Sequence, residues 1–244
     1  MLVTKATDLN TAKRLICFDL DGTLTQHKTP LGERNRAVLD RLGSKYKLLM
    51  VGAGNAPRIY NQMCRYPIDI LGNYGMQEAH VVDGELAIVR QDTVDTDRDM
   101  FNSNCRYLRE KYGYTEYKGG HVEFHDSGMV TFCLLGSGAE IADKIVFDPD
   151  RSKRRVLYDE VKALFPEHVV YIGGSSSFDF APKRYNKYDA IIAYARENGY
   201  SEDEILYVGD DYGEGGGDSH IRISGMDYVY VDDYTRLPEL LDFL

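Results

Sequence analysis

The stretch LICFDLDGTLTQ, residues 15–26, runs four apolar residues straight into two carboxylates, Asp19 and Asp21, and then into Gly-Thr-Leu-Thr. A short apolar run closed by a glycine reads as a buried strand ending in a turn, here Leu15 to Leu20 with Gly22 behind it. A carboxylate at the tip of such a strand is placed to act as a nucleophile or a metal ligand. Asp21 returns over the same pocket once Gly22 bends the chain.

Working outward, residues 33–42 carry Val38, Leu39 and Leu42 at helical spacing. YKLLMV at 46–51 is a second buried strand, and it meets the turn Gly52-Ala53-Gly54-Asn55 before a helix expected over 57–64. Strand, loop and helix in alternation imply a parallel sheet. From Asp83 the pattern changes: strands at 85–90, 121–124, 129–134 and 168–172, with helices at 97–112 and 152–164, suggest an antiparallel sheet with helices on one face. After Asn186 the first pattern returns, with a helix at 187–198 and a strand at 205–208 ending in GDDYGEGGGDS. The expectation is therefore an α/β protein in which a parallel-sheet core, residues 1–82 and 187–244, is interrupted by an inserted α+β lobe, residues 83–186.

Composition narrows the ligand. The 244-residue chain carries a formal charge of −10 at pH 7, which argues against a nucleic-acid partner or an anionic membrane surface and favours a small or metal-bridged ligand. Cys17, Cys64, Cys105 and Cys133 form no C-x-x-C pair and no zinc-type cluster, so reduced thiols in a cytoplasmic protein are expected. No run of about 18 apolar residues exists to span a membrane.

In open parallel sheets ligands bind beyond the carboxyl ends of the strands. Three strands end in the loops DLDGTLT, VGAGNAP and VGDDYGEGGGD, so Asp210 and Asp218 could add oxygens to those of Asp19 and Asp21 around Mg²⁺, a hard ion that takes carboxylates and phosphate. A calcium loop counted from Asp19 fails, because its sixth position is Leu24 rather than Gly and its twelfth is Pro30 rather than Glu. The glycines at 213–217 lack the G-K-[ST] of a nucleotide-binding loop.

DLDGTLT resembles the D-x-D-G-T-[LV]-T signature of the haloacid dehalogenase superfamily of phosphotransferases. GDDYGEGGGDS is similar to the G-D-K-T-x-x-G-G-N-D stretch of the eukaryotic-type phosphomannomutases, GGSSSFDFAPKRYNK to that family's G-G-x-x-S-F-D stretch with its following lysine, and GNYGM to its E-N-G turn. The resemblance implies a Rossmann-like core with a C2-type cap inserted between the second and third motifs, and pairing of two copies through that cap. It also implies roles: Asp19 as the nucleophile that forms an aspartyl-phosphate, Asp21 as general acid and base, Mg²⁺ on Asp19 and Asp210 with the Asp21 carbonyl, and Asp218 supporting the metal's waters or orienting a lysine. Lys187 is the match to the family lysine that neutralises nucleophile and phosphoryl group; Lys183 is the runner-up.

Departures from the family pattern bear on activity. Gly54 stands where a Ser or Thr hydroxyl would meet the phosphate, leaving backbone N–H groups and the Asn55 amide to bind it. On the substrate side Ser177 and Asp179 match, but Lys28 and Lys144 stand where the family has arginines, the E-F-R position ends in His125, and the I-G-R position ends in Ser137. Lysine is a point charge that cannot reproduce a bidentate guanidinium–phosphate pair. The resulting order of readings is a Mg²⁺-dependent phosphatase of a small phosphorylated metabolite such as a sugar phosphate, then a phosphohexomutase, then a catalytically silent binding protein.

Overall fold

The computed structural model describes every residue from Met1 to Leu244, and the chain divides into two compact units. One comprises Met1–Gln91, Asn186–Glu214 and Asp218–Leu244; the other comprises Asp92–Tyr185 with Gly215–Gly217. The first begins with β1 (Leu15–Phe18), α1 (Glu33–Gly43), β2 (Lys47–Val51), α2 (Ala56–Gln62), β3 (Asp69–Gly72), β4 (Gln77–Val82) and β5 (Glu85–Gln91). The second holds α3 (Arg98–Tyr112), β6 (Val122–Phe124), β7 (Val130–Cys133), α4 (Ile141–Phe147), α5 (Ser152–Leu164), β8 (His168–Tyr171) and β9 (Ser177–Pro182). The first unit is then completed by α6 (Lys187–Glu197), β10 (Ile205–Gly209), α7 (Ser219–Ser224), β11 (Tyr228–Tyr230) and α8 (Leu237–Leu240). None of these helices is long and apolar enough to cross a membrane.

Seven strands form one sheet in the order β11-β10-β1-β2-β3-β4-β5, parallel from β11 to β3 and antiparallel over the last two pairings. All four residues of β1 are fully buried, as befits a central strand covered on both faces. Ile16 and Phe18 pack with Met50 and Val208 against Val38 and Leu39 of α1 and Ile59 of α2. Leu15 and Cys17 pack on the other side against Ile191 and Tyr194 of α6 and Ile221 of α7. The register pairs Phe18 with both Met50 and Val208, so the residues after these three strands emerge along one edge of the sheet. There the Asp19 N–H still donates to the Val208 carbonyl at 2.9 Å, which holds the carboxylate-bearing residue in strand alignment.

The strand at 85–91, expected in the inserted lobe, is instead the edge of this large sheet. Asp83 (φ 52°) and Gly84 (φ 79°) make the two-residue turn that an Asp-Gly pair favours, and β5 folds straight back on β4. The helix expected over 57–64 is also shorter. Asn55 caps it by accepting from the Arg58 N–H at 2.9 Å, and it stops at Gln62 because Cys64 and Arg65 adopt left-handed φ values of 53° and 57°.

The second unit is a four-stranded antiparallel sheet, order β6-β7-β9-β8. Val130, Phe132, Phe178 and Phe180 cover one face and pack on Phe101 and Leu108 of α3 and Leu157 and Val161 of α5. Because side chains alternate along a strand, the opposite face carries a cross-strand row in which Glu123 faces Thr131, Thr131 faces Asp179 and Asp179 faces Tyr171. A buried ion pair ties this sheet to α5: Arg154 Nε donates to Asp148 at 2.7 Å, and its Nη1 donates to the carbonyls of Gly173, Gly174 and Ser177.

Burial alone would raise the Asp148 carboxyl, but Arg154 and the N–H groups of Lys153 and Arg154 outweigh it and hold it below the ordinary value. A carboxyl depressed by folding contributes stability above its unfolded pKa and loses it as the pH falls through its folded pKa. We therefore expect the melting temperature to fall as acid is added below about pH 4, the ordinary Asp range. Asp148→Asn should flatten that acid limb in melts run from pH 6 to 3. An unchanged limb would refute the assignment.

Candidate active site

Asp19, at the tip of β1, is 8% exposed and meets a lysine. Lys187 Nζ donates to Asp19 Oδ1 at 2.6 Å and to Asp218 Oδ1 at 2.7 Å, and all three side chains are buried. Lys187 stands at the first turn of α6, where Asn186 accepts from the Asp189 N–H at 2.9 Å and so fixes where the helix begins. Lys183, four residues earlier, is exposed, and its backbone N–H pairs with the Glu167 carbonyl at 3.0 Å. Asp218 is fully enclosed. Besides Lys187 it accepts from the Tyr207 hydroxyl at 2.6 Å and the Asp211 N–H at 3.0 Å.

Asp210 follows β10 and accepts from Thr23 Oγ1 at 3.0 Å. Gly22 makes this approach possible on two counts: its φ is +100°, and a Cβ there would run into the Asp210 carboxylate. Ligand oxygens of Asp19, Asp210 and Asp218 lie within 4.8 Å of one another. Three acidic groups thus cluster beside one ammonium, which pairs directly with two of them. Burial, followed by the charges of Asp19, Asp218 and Asp211, pushes the Asp210 carboxyl up, and burial likewise raises Asp19 against the pull of Lys187. Lys187 moves up as well, because its two carboxylate partners outweigh its burial. An all-oxygen donor set short of positive charge fits a hard divalent cation such as Mg²⁺.

Asp21 stands apart from that trio, so its carboxylate does not join the ligand set in which it was expected. It belongs to a clamp built by α2 instead. Its Oδ1 accepts from the Lys28 N–H and from Gln62 Nε2, both at 2.7 Å, and its Oδ2 accepts from Arg58 Nη2 at 2.6 Å. Burial would raise this carboxyl, but the Lys28 N–H, Gln62 and the Arg58 charge together hold it below the ordinary value. Lys28 reaches Asp21 through its backbone, in a left-handed conformation with φ 58°. Gly54 and Asn55 lie at the head of α2, with the Asn55 side-chain oxygen spent on capping.

In the other unit the expected substrate residues divide. His125 Nε2 lies 3.0 Å from Thr131 Oγ1, which donates to Asp179 Oδ1 at 2.9 Å, so these three form one polar chain on the sheet. Lys144 Nζ donates to the Ser137 carbonyl at 2.8 Å and Ser177 Oγ to the Gly173 carbonyl at 3.1 Å. Both side chains are thus turned to their own backbone.

Sequence reasoning missed Arg58, Gln62, Tyr207 and Thr131. Arg58 and Gln62 stand four residues apart within α2 and so share a helix face, but nothing in the sequence signals that this face meets Asp21.

The model of the family described as eukaryotic phosphomannomutase matches residues 36–230. The phosphomannomutase of Saccharomyces cerevisiae is 27% identical over 236 residues, covering 91% of this chain and 86% of its own length. Among solved structures, an IMP-bound, N-terminally truncated IMP-nucleotidase of Plasmodium falciparum aligns over 97% of this chain and 69% of its own with a TM-score of 0.67 and 13% identity. A haloacid dehalogenase-like hydrolase from Bacteroides thetaiotaomicron aligns over 94% and 92% with a TM-score of 0.56 and 16% identity. The structural likenesses establish the fold, which is that of the haloacid dehalogenase superfamily. Together with a family match spanning most of the chain, they make this protein a member of the eukaryotic phosphomannomutase family.

Proposed function

We propose that this phosphotransferase is a Mg²⁺-dependent phosphatase of a small phosphorylated metabolite, a sugar phosphate, working through a phosphorylated Asp19. The observation that carries the reading is the buried Lys187 bridge between Asp19 and Asp218, with Asp210 beside it and Asp21 separately clamped. Asp19 attacks phosphorus, the bond from phosphorus to the ester oxygen breaks, and the Asp21 carboxylate relays to that oxygen a proton taken up from solvent. Asp21 then takes a proton from the water that attacks the same phosphorus, the bond from phosphorus to Asp19 breaks and restores its carboxylate, and inorganic phosphate leaves. Lys187 holds the nucleophile's rotamer and offsets its charge, while Asp218 keeps Lys187 in place. When bound, Mg²⁺ would be held by Asp19 and Asp210 and would offset the repulsion between carboxylate and phosphate.

Hydrolysis is favoured over isomerisation because the side chains available to retain a doubly phosphorylated intermediate are poor in guanidinium groups. Lys28 and Lys144 are lysines, positions 125 and 137 are a histidine and a serine, and Lys144 is occupied by the Ser137 carbonyl. The second reading, a phosphohexomutase, is supported by the family match.

One assay separates them. With Mg²⁺, mannose 1-phosphate or glucose 1-phosphate should release inorganic phosphate, and chelation by EDTA should abolish the release. Formation of the 6-phosphate without free phosphate, on addition of a bisphosphate activator, would overturn the preference.

A further inference from the structure

Gly54 occupies the position at which the resembling family presents a hydroxyl to the phosphate. Its φ lies outside the left-handed range, so its backbone does not itself demand glycine. What occupies the space is Arg58: a Cβ built on Gly54 would overlap Arg58 Nη1 and lie 3.3 Å from both its Cδ and its Cζ, the three atoms nearest to it, so a side chain at 54 would have to displace the end of that arginine. The guanidinium therefore fills the volume the missing side chain would take. It is also anchored there. Nη2 donates to Asp21 Oδ2 at 2.6 Å and to Gln62 Oε1 at 3.2 Å, and Gln62 in turn donates to Asp21 Oδ1 at 2.7 Å and Thr25 Oγ1 at 3.0 Å. The guanidinium's hydrogen bonds to the chain run through Nη2, so the fork's remaining N–H groups are not committed to them. The side chain is 40% exposed and can receive a ligand.

We propose that Arg58 is the anion-binding residue that takes over the task of the absent hydroxyl at position 54, gripping the oxygens of the phosphoryl group while its other nitrogen steadies Asp21. Three features join in this assignment. The guanidinium stands over Gly54, it is fixed to the carboxylate proposed to move protons in the reaction, and its planar fork matches the oxygens of a phosphate. The exchange is a substitution of one donor for another within the same volume, so Gly54 and Arg58 act as a pair. This inference rests on the phosphotransferase reading above.

The test is a double-mutant cycle read by isothermal titration of inorganic phosphate into the protein in the presence of Mg²⁺, with circular dichroism to certify folding. Arg58→Ala is expected to weaken phosphate about tenfold or more, the scale of a charge-assisted hydrogen bond. In Gly54→Ser, where a hydroxyl displaces the guanidinium, the same Arg58→Ala change is expected to cost about twofold or less, because the donor is already supplied. Loss of Asp21's partner is separated by a third background: in Asp21→Ala, where Arg58 has no carboxylate to steady, Arg58→Ala is still expected to weaken phosphate about tenfold, and a loss that vanishes there overturns the assignment. An Arg58→Ala chain that folds and binds phosphate within twofold of the native protein overturns the assignment, and so does an equal loss in both backgrounds. A native chain that neither binds phosphate nor releases it from p-nitrophenyl phosphate overturns the underlying reading as well; a native chain that does both, with Arg58→Ala unaffected, overturns the Arg58 assignment alone.

Discussion

Asp19→Asn is expected to lower phosphate release from p-nitrophenyl phosphate by about 10⁴-fold or more, the scale on which loss of a nucleophile is felt. The amide is nearly the same size as the carboxylate, and the strand alignment at this residue runs through the backbone bond to Val208, which the substitution leaves intact. What disappears is the negative oxygen proposed to attack phosphorus. Stability should move the other way or not at all. Three carboxyl groups crowd one lysine, and burial already raises the Asp19 carboxyl, so replacing it with a neutral group removes repulsion from Asp210 and Asp218. Activity lost together with stability would point to a structural role. A variant within about tenfold of native activity would remove Asp19 from the chemistry.

Lys187→Met should cost about 3–5 kcal/mol of stability in the absence of divalent cation, because it strips the partner from two buried carboxylates at once. Asp218 keeps the Tyr207 hydroxyl and the Asp211 N–H, so the Asp19 side of the bridge bears most of the loss. Adding Mg²⁺ should recover part of it, since a cation that binds only the folded chain stabilises it in proportion to its occupancy. Urea unfolding with Mg²⁺ and with EDTA measures both quantities. A loss under about 1 kcal/mol, the range of an exposed ion pair, would contradict the bridge as the anchor of the site.

Much of this was visible in the bare sequence, for reasons that can be named. β1, β2 and β10 are unbroken apolar runs, because strands covered on both faces have no polar side to interrupt them, and each stops at a loop rich in Asp or Gly. Lys187 was named through the family resemblance, because YNKYDAI opens a helix where the family's lysine does, and the structure sets it at the first turn of α6. The edge strand β5 was misplaced because a change of strand pattern was read as a change of lobe, although Asp83-Gly84 spelled a hairpin. Arg58 was invisible for a different reason. An arginine after Asn-Ala-Pro reads as a solvated helix residue, and nothing in the one-dimensional order announces that it lies across a glycine four positions earlier and a carboxylate thirty-seven positions away. Asp21 was grouped with the metal ligands on the reading that Gly22 returns its carboxylate over the same pocket, and by the family resemblance through its backbone carbonyl. The turn at Gly22 separates the two carboxylates in space, sending one towards Lys187 and the other towards α2.

The segment that begins at Asp92 and ends at Tyr185 is closed at its neck, where the Tyr185 hydroxyl donates to the Asp92 carboxylate at 2.9 Å. A loop whose ends already touch asks little of its host beyond a short turn, and closure entropy grows only slowly with the length enclosed. The neck is therefore a graft point. A lineage can lengthen, reshape or replace everything between these two residues while the cluster of Asp19, Lys187, Asp210 and Asp218 is inherited unchanged, so the two units can evolve on separate clocks.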